Sequence, residues 1–391
     1  MWAYHMNANS HHSQPPALLQ YQQNAVEYIE RQAAQVSQRT GDCIDASLAR
    51  ANLGRDVYDN VMASLICNAQ IAVHFHPERL SRRGESVAEG LLRSGYYKNQ
   101  FETGLSSGSP SAFAGGERDL WEKSLFDGIY HGVDVQPSGR PKYGALQLIS
   151  HPDGPAPRFG SCYFLLHPQV CERATFSYGG SQEQDALLHT GTIKTLDPVM
   201  AQVFTQLELG HGIFGISELD VASLLHYLTH RFSAPASKMQ NLGRALDSFV
   251  EAQIHGDIRL DKDVSQLIAD PAFRDHYVGD VLNKISIRYG IPLSWHPGFM
   301  LSVKQIPNAF RGYSIGSLAR RLGGNGHLDA ATIGKLANSF ELEPEIWKDW
   351  ASYEDTLTQF RRLWHFLVLH GSPGEKFVRK NRHATNHCYR R

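Results

Sequence analysis

One short stretch of the chain, residues 249–258, constrains the fold more than any other. Its sequence, FVEAQIHGDI, alternates between polar and apolar side chains. Because successive side chains of a β-strand point to opposite faces, the polar residues of this stretch share one face. They are Glu251, Gln253, His255 and Asp257. Two structures fit this pattern: a solvated edge strand, or a strand whose polar face lines a cleft that binds sugar hydroxyls and stabilises positive charge.

The rest of the chain divides into five segments by composition and hydrophobic periodicity. They are a polar leader (1–16), an N-terminal helical region (17–69), a core of short strands and helices (70–260), a mostly helical region (261–375) and a basic tail (376–391). Within the fourth segment, residues 264–268 are predicted to be helical. Helices followed by scattered strands and again by helices indicate an α+β fold with a mixed or antiparallel sheet.

Composition narrows the class of protein. The 391 residues are 42% hydrophobic, enough for a sizeable core, and the formal net charge of −1 argues against nucleic acid or a membrane surface as the partner. The sequence contains neither a signal-peptide pattern nor an apolar run of about 18 residues, the length that a spanning helix needs. The expected location is the cytoplasm, or a host cell reached by export without a cleaved signal peptide.

Familiar nucleotide and hydrolase motifs are missing. Residues 104–109, GLSSGS, lack the GK[ST] ending of a P-loop, and no GxGxxG occurs. Residues 159–163, FGSCY, lack the second glycine of the G-x-S-x-G nucleophile elbow. The five cysteines form no CxxC pair, so they do not indicate a structural zinc site.

Two histidines lie on the predicted strand at residues 71–76. His74 and His76 face the same way, so together they could bind a metal ion or, at the strand end, His76 could donate a hydrogen bond to a ligand. A metal-dependent hydrolase that uses His74, His76, His255 and a carboxylate is therefore one alternative. Structural packing of both imidazoles is the other.

Seven segments, taken together and in order, carry a more specific signal. They are FHPER (75–79), QFETGLSSG (100–108), GGERDLW (115–121), RPKYGAL (140–146), FGSCY (159–163), ATFSYG (174–179) and VEAQIHG (250–256). In this combination the chain resembles the threonine-directed ubiquitin mono-ADP-ribosyltransferase effectors (CteC-like) and their uncharacterised relatives. The resemblance implies an ADP-ribosyltransferase-like core of two small sheets around a cleft that holds NAD+ in a bent shape.

The resemblance also implies roles for individual residues. His76, with Arg79 close by, would contact the adenosine ribose or the phosphates. A Ser/Thr-containing segment would support the nicotinamide ribose, with Ser161 as an alternative to it. The candidates in that segment are Thr103, Gly104, Ser106 and Ser107.

The catalytic candidates are Glu251 and Gln253, and His255 is placed with the cofactor-binding residues. The superfamily often has E-x-E or Q-x-E at this point, whereas this chain has Glu251-Ala-Gln253. Glu251 is preferred as the catalytic residue, because a glutamine cannot offset positive charge.

The remaining expectations concern NAD+ and the acceptor. Phe101 and Tyr143 are candidates to stack on nicotinamide or adenine, and Arg79, Arg118 or Arg140 could pair with the pyrophosphate, at least one of the three being a structural ion pair. The predicted reaction transfers ADP-ribose from NAD+, used as a substrate and without a metal, to a protein side chain, by resemblance a threonine of ubiquitin. A non-catalytic binding module of the same fold is the third alternative.

Overall fold

The centre of the protein is one mixed β-sheet of eight strands. The computed structural model describes residues 18–81, 84–105, 112–182, 185–231, 244–323 and 326–373. The polar leader (1–16), the basic tail (376–391), Ser106 and Ser107 lie outside the described residues.

The described residues contain fourteen strands. In chain order they are β1 (Ile71–Phe75), β2 (Tyr96–Tyr97), β3 (Lys142–Leu146), β4 (Cys162–Leu166), β5 (Ala174–Tyr178), β6 (Thr190–Thr192), β7 (Val250–Ile254), β8 (Ile258–Arg259), β9 (Val264–Ala269), β10 (Leu293–Trp295), β11 (Leu301–Ser302), β12 (Ala309–Phe310), β13 (Tyr313–Ser314) and β14 (His327–Leu328). The large sheet has the order β10-β9-β4-β1-β3-β7-β5-β6, and only its β9–β10 pair is parallel.

The described residues also form fourteen α-helices. They are α1 (Gln20–Gln35), α2 (Ser37–Arg50), α3 (Arg55–Asn68), α4 (Val87–Ser94), α5 (Gln100–Thr103), α6 (Glu117–Leu125), α7 (Asp197–Glu208), α8 (Val221–Arg231), α9 (Leu260–Asp263), α10 (Tyr277–Tyr289), α11 (Gly316–Gly323), α12 (Ala330–Leu342), α13 (Pro344–Trp347) and α14 (Tyr353–His370). Helices α1 to α3 fall in the predicted N-terminal helical region.

The mixed sheet with flanking helices confirms the α+β prediction in outline. The expected pair of small sheets is not seen among the described residues, because β1 pairs with β4 on one side and with β3 on the other, which joins the strands into one sheet. Residues 264–268, predicted to be helical, belong to strand β9, which pairs with β4 and β10. A segment this short fits either structure until its neighbours are known.

Strand β7 lies inside the sheet, so the solvated-edge alternative for residues 249–258 is wrong. Its register places Glu251 between Ala145 of β3 and Ser177 of β5, with Gln253 one pleat further along. All five residues of β7 are buried. The polar side chains of β7 are therefore sheltered from bulk water.

The opposite, apolar face of the sheet belongs to the main hydrophobic core. Val73, Phe164 and Ile254 pack in one cluster that also contains residues of α3, α7 and α8, and the same cluster continues into α11, α12 and α14. Helix α1 packs in a second, smaller cluster with Tyr130 and Phe126. Among the described residues, no helix combines the length and apolar character needed to span a membrane.

Alanine substitutions at two helical glycines should change the free energy of unfolding in opposite directions. A Cβ at Gly279 of α10 would lie 2.1 Å from the carbonyl oxygen of Phe273, whereas a Cβ at Gly41 of α2 would meet nothing within 4 Å. We expect Gly279→Ala to lower the free energy of unfolding by about 1–3 kcal/mol through overpacking. Gly41→Ala should raise it by about 0.5–1 kcal/mol, because alanine favours a helix interior. Urea unfolding of both variants measures this, and a stabilised Gly279→Ala would contradict the close packing of α10.

Candidate functional site

A cavity of about 630 Å³ lies on the polar face of the sheet, where β1, β3 and β7 meet residues 85–105. Most of the predicted site residues that the structure describes line it. They are His76, Arg79, Phe101, Thr103, Gly104, Tyr143 and Glu251. Residues from distant parts of the sequence thus share one cavity.

Two helix caps build the wall that faces the sheet. Ser86 caps α4 by accepting a hydrogen bond from the Glu89 backbone N–H at 3.2 Å, and the Glu89 carboxylate accepts from the Ser86 N–H at 2.8 Å. Asn99 and Glu102 repeat this arrangement at α5. The Asn99 amide also donates to the carbonyl of Pro137 at 2.6 Å, which fixes α5, and with it Phe101 and Thr103, beside the sheet.

Glu251 presents a fixed carboxylate to the cavity. Its side chain is buried, and Oε1 accepts hydrogen bonds from the Ser181 backbone N–H and from Gln253 Nε2, both at 3.0 Å. Donors of this kind stabilise negative charge and restrict the rotamer of the carboxylate. The group is therefore held against the cavity and does not move freely into solvent.

Arg118 of α6 places a guanidinium beside this carboxylate. Its side chain is only 5% exposed, and its Nε and Nη1 have no hydrogen-bond acceptor among the described residues. Its Cζ lies 4.2 Å from the centre of the Tyr143 ring. Burial lowers the pKa of Arg118, but the nearby Tyr143, Glu251 and Glu122 outweigh burial and leave this pKa above its ordinary value. Arg118 is thus a buried cation with free donors at the cavity wall.

Glu122 supports this wall from below. It is fully buried and accepts hydrogen bonds from Tyr143 Oη at 2.8 Å and from Arg140 Nε at 2.7 Å. Arg140 also forms an ion pair with Asp119. Of the three candidate arginines, Arg140 therefore forms a structural ion pair. It does not line the cavity, although its Cζ lies 3.9 Å from the Phe101 ring centre. Burial raises the pKa of Glu122, and Arg140 acts in the opposite direction.

His76 is held from the C-terminal side of the chain. Its Nδ1 lies 3.5 Å from Glu78 Oε1, and its ring makes an edge contact with Trp364 of α14, with 5.1 Å between ring centres. Asn338 of α12 donates to the Glu78 carbonyl at 2.9 Å. Burial lowers the pKa of Arg79, and the neighbouring Glu78 raises it. Two C-terminal helices thus fix the residues that follow β1.

Three predicted site residues lie away from the cavity. Gln253 and His255 are fully buried behind Glu251, on the side of β7 that β5 covers, so neither side chain is placed to contact a ligand. Ser161 is also buried, and its carbonyl accepts a hydrogen bond from His296 Nε2 at 2.8 Å. The sequence predicted ligand contacts for these three residues, whereas the structure places them inside the protein. Asp257 follows the end of β7, where it lies 3.6 Å from Lys142 Nζ.

The histidines of the hydrolase alternative do not converge. His74 Nδ1 donates to the Gly160 carbonyl at 3.1 Å and its Nε2 accepts from the Ala156 N–H at 3.3 Å, so both nitrogens are used. The nitrogens of His255 face Tyr130 and Thr175. In the described ranges, no group of three or more His, Cys, Asp or Glu side chains is arranged to hold a metal ion. The hydrolase stays a prediction without geometric support.

The sequence reasoning missed the residues that support the site. Glu122 follows Arg118 by four positions, and this spacing on a helix signals a shared face. Ser181, Thr175 and Tyr130 carry no comparable local signal, because each reaches the site from another part of the fold.

Buried neutral histidines predict how stability depends on pH. Burial lowers the pKa of His74, His255 and His365 to about 3, against an ordinary value of 6.5. Their contribution to stability is therefore complete above pH 6.5 and is lost as the pH falls towards 3, because only the unfolded chain takes up these protons. Each histidine should contribute about 1.4 kcal/mol per pH unit in this window. His74→Gln should remove that much from the slope of unfolding free energy between pH 6 and 4, and an unchanged slope would contradict a neutral His74.

Comparison with known proteins gives a family. No curated protein matches the chain. Residues 70–370, about three-quarters of the sequence, match the family described as a protein of unknown function, DUF3626. This range contains every residue that lines the cavity and both C-terminal helices that fix the end of β1. The chain belongs to the DUF3626 family.

Proposed function

We propose that the protein is an NAD-dependent mono-ADP-ribosyltransferase that modifies a protein side chain, with a threonine of ubiquitin as the acceptor that the resemblance implies. The observation that carries this proposal is the fixed Glu251 carboxylate in a cavity that also contains His76, Arg79 and Tyr143. The ADP-ribosyltransferase-like character of the fold is part of the proposal.

Glu251 would stabilise the reacting sugar. When the bond between nicotinamide and ribose C1′ breaks, the ribose gains oxocarbenium character, and a preorganised carboxylate in a cavity sheltered from water stabilises that positive charge. The acceptor hydroxyl oxygen then bonds to C1′, its proton is released, and nicotinamide leaves. Because a threonine hydroxyl is a weak nucleophile, holding it against C1′ is the other main contribution.

Arg118 is the best placed of the three candidate arginines to bind the pyrophosphate. Its Nε and Nη1 have no acceptor among the described residues, whereas Arg140 is committed to Asp119 and Glu122. Leaving buried donors without an acceptor is costly, and a ligand that supplies acceptors removes this cost. A guanidinium binds phosphate oxygens through two parallel N–H donors, which suits this role.

Phe101 and Tyr143 stay the candidates for stacking on the bases. A guanidinium lies over one face of each ring, Arg140 on Phe101 and Arg118 on Tyr143. The other face of each ring is the one we propose for nicotinamide or adenine. His76 would contact the adenosine ribose or the phosphates, with Thr103 and Gly104 on the opposite wall.

Replacing the proposed catalytic carboxylate tests the activity. We expect Glu251→Gln to reduce transfer of ADP-ribose from NAD+ to ubiquitin by about 100- to 1,000-fold, because the amide offers no charge to the oxocarbenium-like ribose. Mass spectrometry of ubiquitin after incubation with NAD+ measures the adduct and its site. The matched control is Glu85→Gln, since Glu85 lines the same cavity but is paired with Arg93 at 2.8 Å.

Two results would contradict this proposal. A wild-type protein that forms no adduct on ubiquitin or on lysate proteins and releases no nicotinamide would contradict transferase activity and favour a binding module. Equal activity in Glu251→Gln and wild type would contradict the catalytic role of Glu251.

Replacing Arg118 tests the pyrophosphate contact. We expect Arg118→Gln to weaken NAD+ binding by about 10- to 100-fold, the value of hydrogen bonds to a charged group. Arg118→Lys should recover part of that affinity, because it keeps the charge but loses the planar pair of donors. Calorimetric titration with NAD+ and with nicotinamide riboside, which lacks the pyrophosphate, separates loss of the phosphate contact from a general loss of binding. If Arg118→Gln weakens the binding of the riboside as much as that of NAD+, the phosphate role of Arg118 is contradicted.

A further inference from the structure

A continuous chain of hydrogen bonds runs from Glu251 into the interior, away from the cavity. Gln253 Nε2 donates to Glu251 Oε1 at 3.0 Å, and Thr175 Oγ1 donates to Gln253 Oε1 at 2.8 Å. On its other side, the Thr175 hydroxyl oxygen lies 3.4 Å from His255 Nε2, and His255 Nδ1 is hydrogen-bonded to Tyr130 Oη. The four residues behind Glu251 are at most 2% exposed.

The donors in this chain can point in only one direction. A carboxylate only accepts, so the amide nitrogen of Gln253 must face Glu251 and its oxygen must face Thr175. The single hydroxyl proton of Thr175 is then used on Gln253, so Thr175 must accept from His255 Nε2–H. A neutral imidazole has one N–H, so His255 Nδ1 accepts from the hydroxyl of Tyr130.

The surroundings of His255 agree with a neutral ring. Burial, together with the positive charges of Arg173 and Lys142, lowers the pKa of His255 to about 3. The Phe126 and Tyr130 rings pack against the imidazole, with ring centres 5.4 and 5.9 Å away. A neutral His255 has one donor and one acceptor nitrogen, as the chain requires.

We propose that Tyr130, His255, Thr175 and Gln253 form a one-way hydrogen-bond chain that positions the Glu251 carboxylate. Thr175 and His255 are therefore positioning residues, although neither lines the cavity. Their role in the reaction rests on the proposed function, in which Glu251 stabilises the reacting ribose. Each bond in the chain polarises the next, so the donors reinforce one another at the carboxylate.

Packing alone does not account for this arrangement. Buried polar networks are often no more stabilising than apolar side chains of the same volume. Yet the chain follows the polar face of β7, crosses to β5 at Thr175 and has its last acceptor in the cavity wall. A one-way arrangement with a charged acceptor at its cavity end is suited to holding that acceptor in one position.

Substitution of Thr175 tests the positioning role. Valine has nearly the shape of threonine but no hydroxyl, so Thr175→Val interrupts the chain with little change in packing. We expect kcat for nicotinamide release and transfer to fall by up to about 100-fold, the effect of a small misplacement, with KM for NAD+ little changed. Thr175→Ser restores the hydroxyl and should recover most of kcat.

The matched control is Thr356→Val. Thr356 is equally buried, but its hydroxyl donates at 2.8 Å to the carbonyl of Ser352, the residue that precedes α14. We expect this variant to retain wild-type kcat. A Thr175→Val enzyme with wild-type kcat, or a Thr175→Ser enzyme as slow as the valine variant, would overturn the positioning role.

Nuclear magnetic resonance tests the hydrogen-bond chain without an activity assay. In the full-length protein labelled with ¹⁵N-histidine, the His255 ring signals, assigned by their loss in His255→Gln, should show a neutral ring protonated at Nε2. Thr175→Val should shift them, whereas Thr356→Val should not. Unchanged His255 signals in Thr175→Val would overturn the chain itself. If the wild-type protein is inactive but shows the expected shifts, the proposed function and the positioning role are both contradicted. The hydrogen-bond chain itself would still be supported.

Discussion

The site depends on one constraint: β7 buries a polar face in the middle of a sheet. A buried polar group must find a hydrogen-bond partner or lose stability. Glu251, Gln253 and His255 all meet this requirement through neighbours on β5, on the loop after β5 and at Tyr130. Because their partners are fixed, the one group of the three that lines the cavity is fixed as well.

The helical regions at the two ends of the chain support two different strands. At the end of β1, α12 and α14 hold the residues that follow this strand through Asn338 and Trp364. At the end of β7, α1 packs against Tyr130, whose ring lies 5.8 Å from Tyr21, centre to centre. The helices thus do more than flank a separate core, because each set reaches a residue connected to the cavity. We infer that the described helices contribute to the geometry of the site itself.

The sequence predicted what depends on local pattern and missed what depends on distant neighbours. Alternation identified the shared face of Glu251, Gln253 and His255, and residues 71–76 were predicted to be a strand, where β1 lies. Local pattern does not show whether a strand lies at the edge or inside a sheet, since that is decided by β3 and β5, far away in sequence. For the same reason the sequence predicts a helix for the short segment 264–268, whereas pairing with β4 and β10 makes it a strand.

The departure at Gln253 follows from the same geometry. A second carboxylate at this position would be fully buried next to Glu251, and two like charges so close on one face repel each other. A carboxylate can also only accept hydrogen bonds, whereas the side chain at position 253 must accept one from Thr175 and donate one to Glu251. An amide is the group that does both. Glutamine at this position therefore fits a strand with a single proposed catalytic carboxylate.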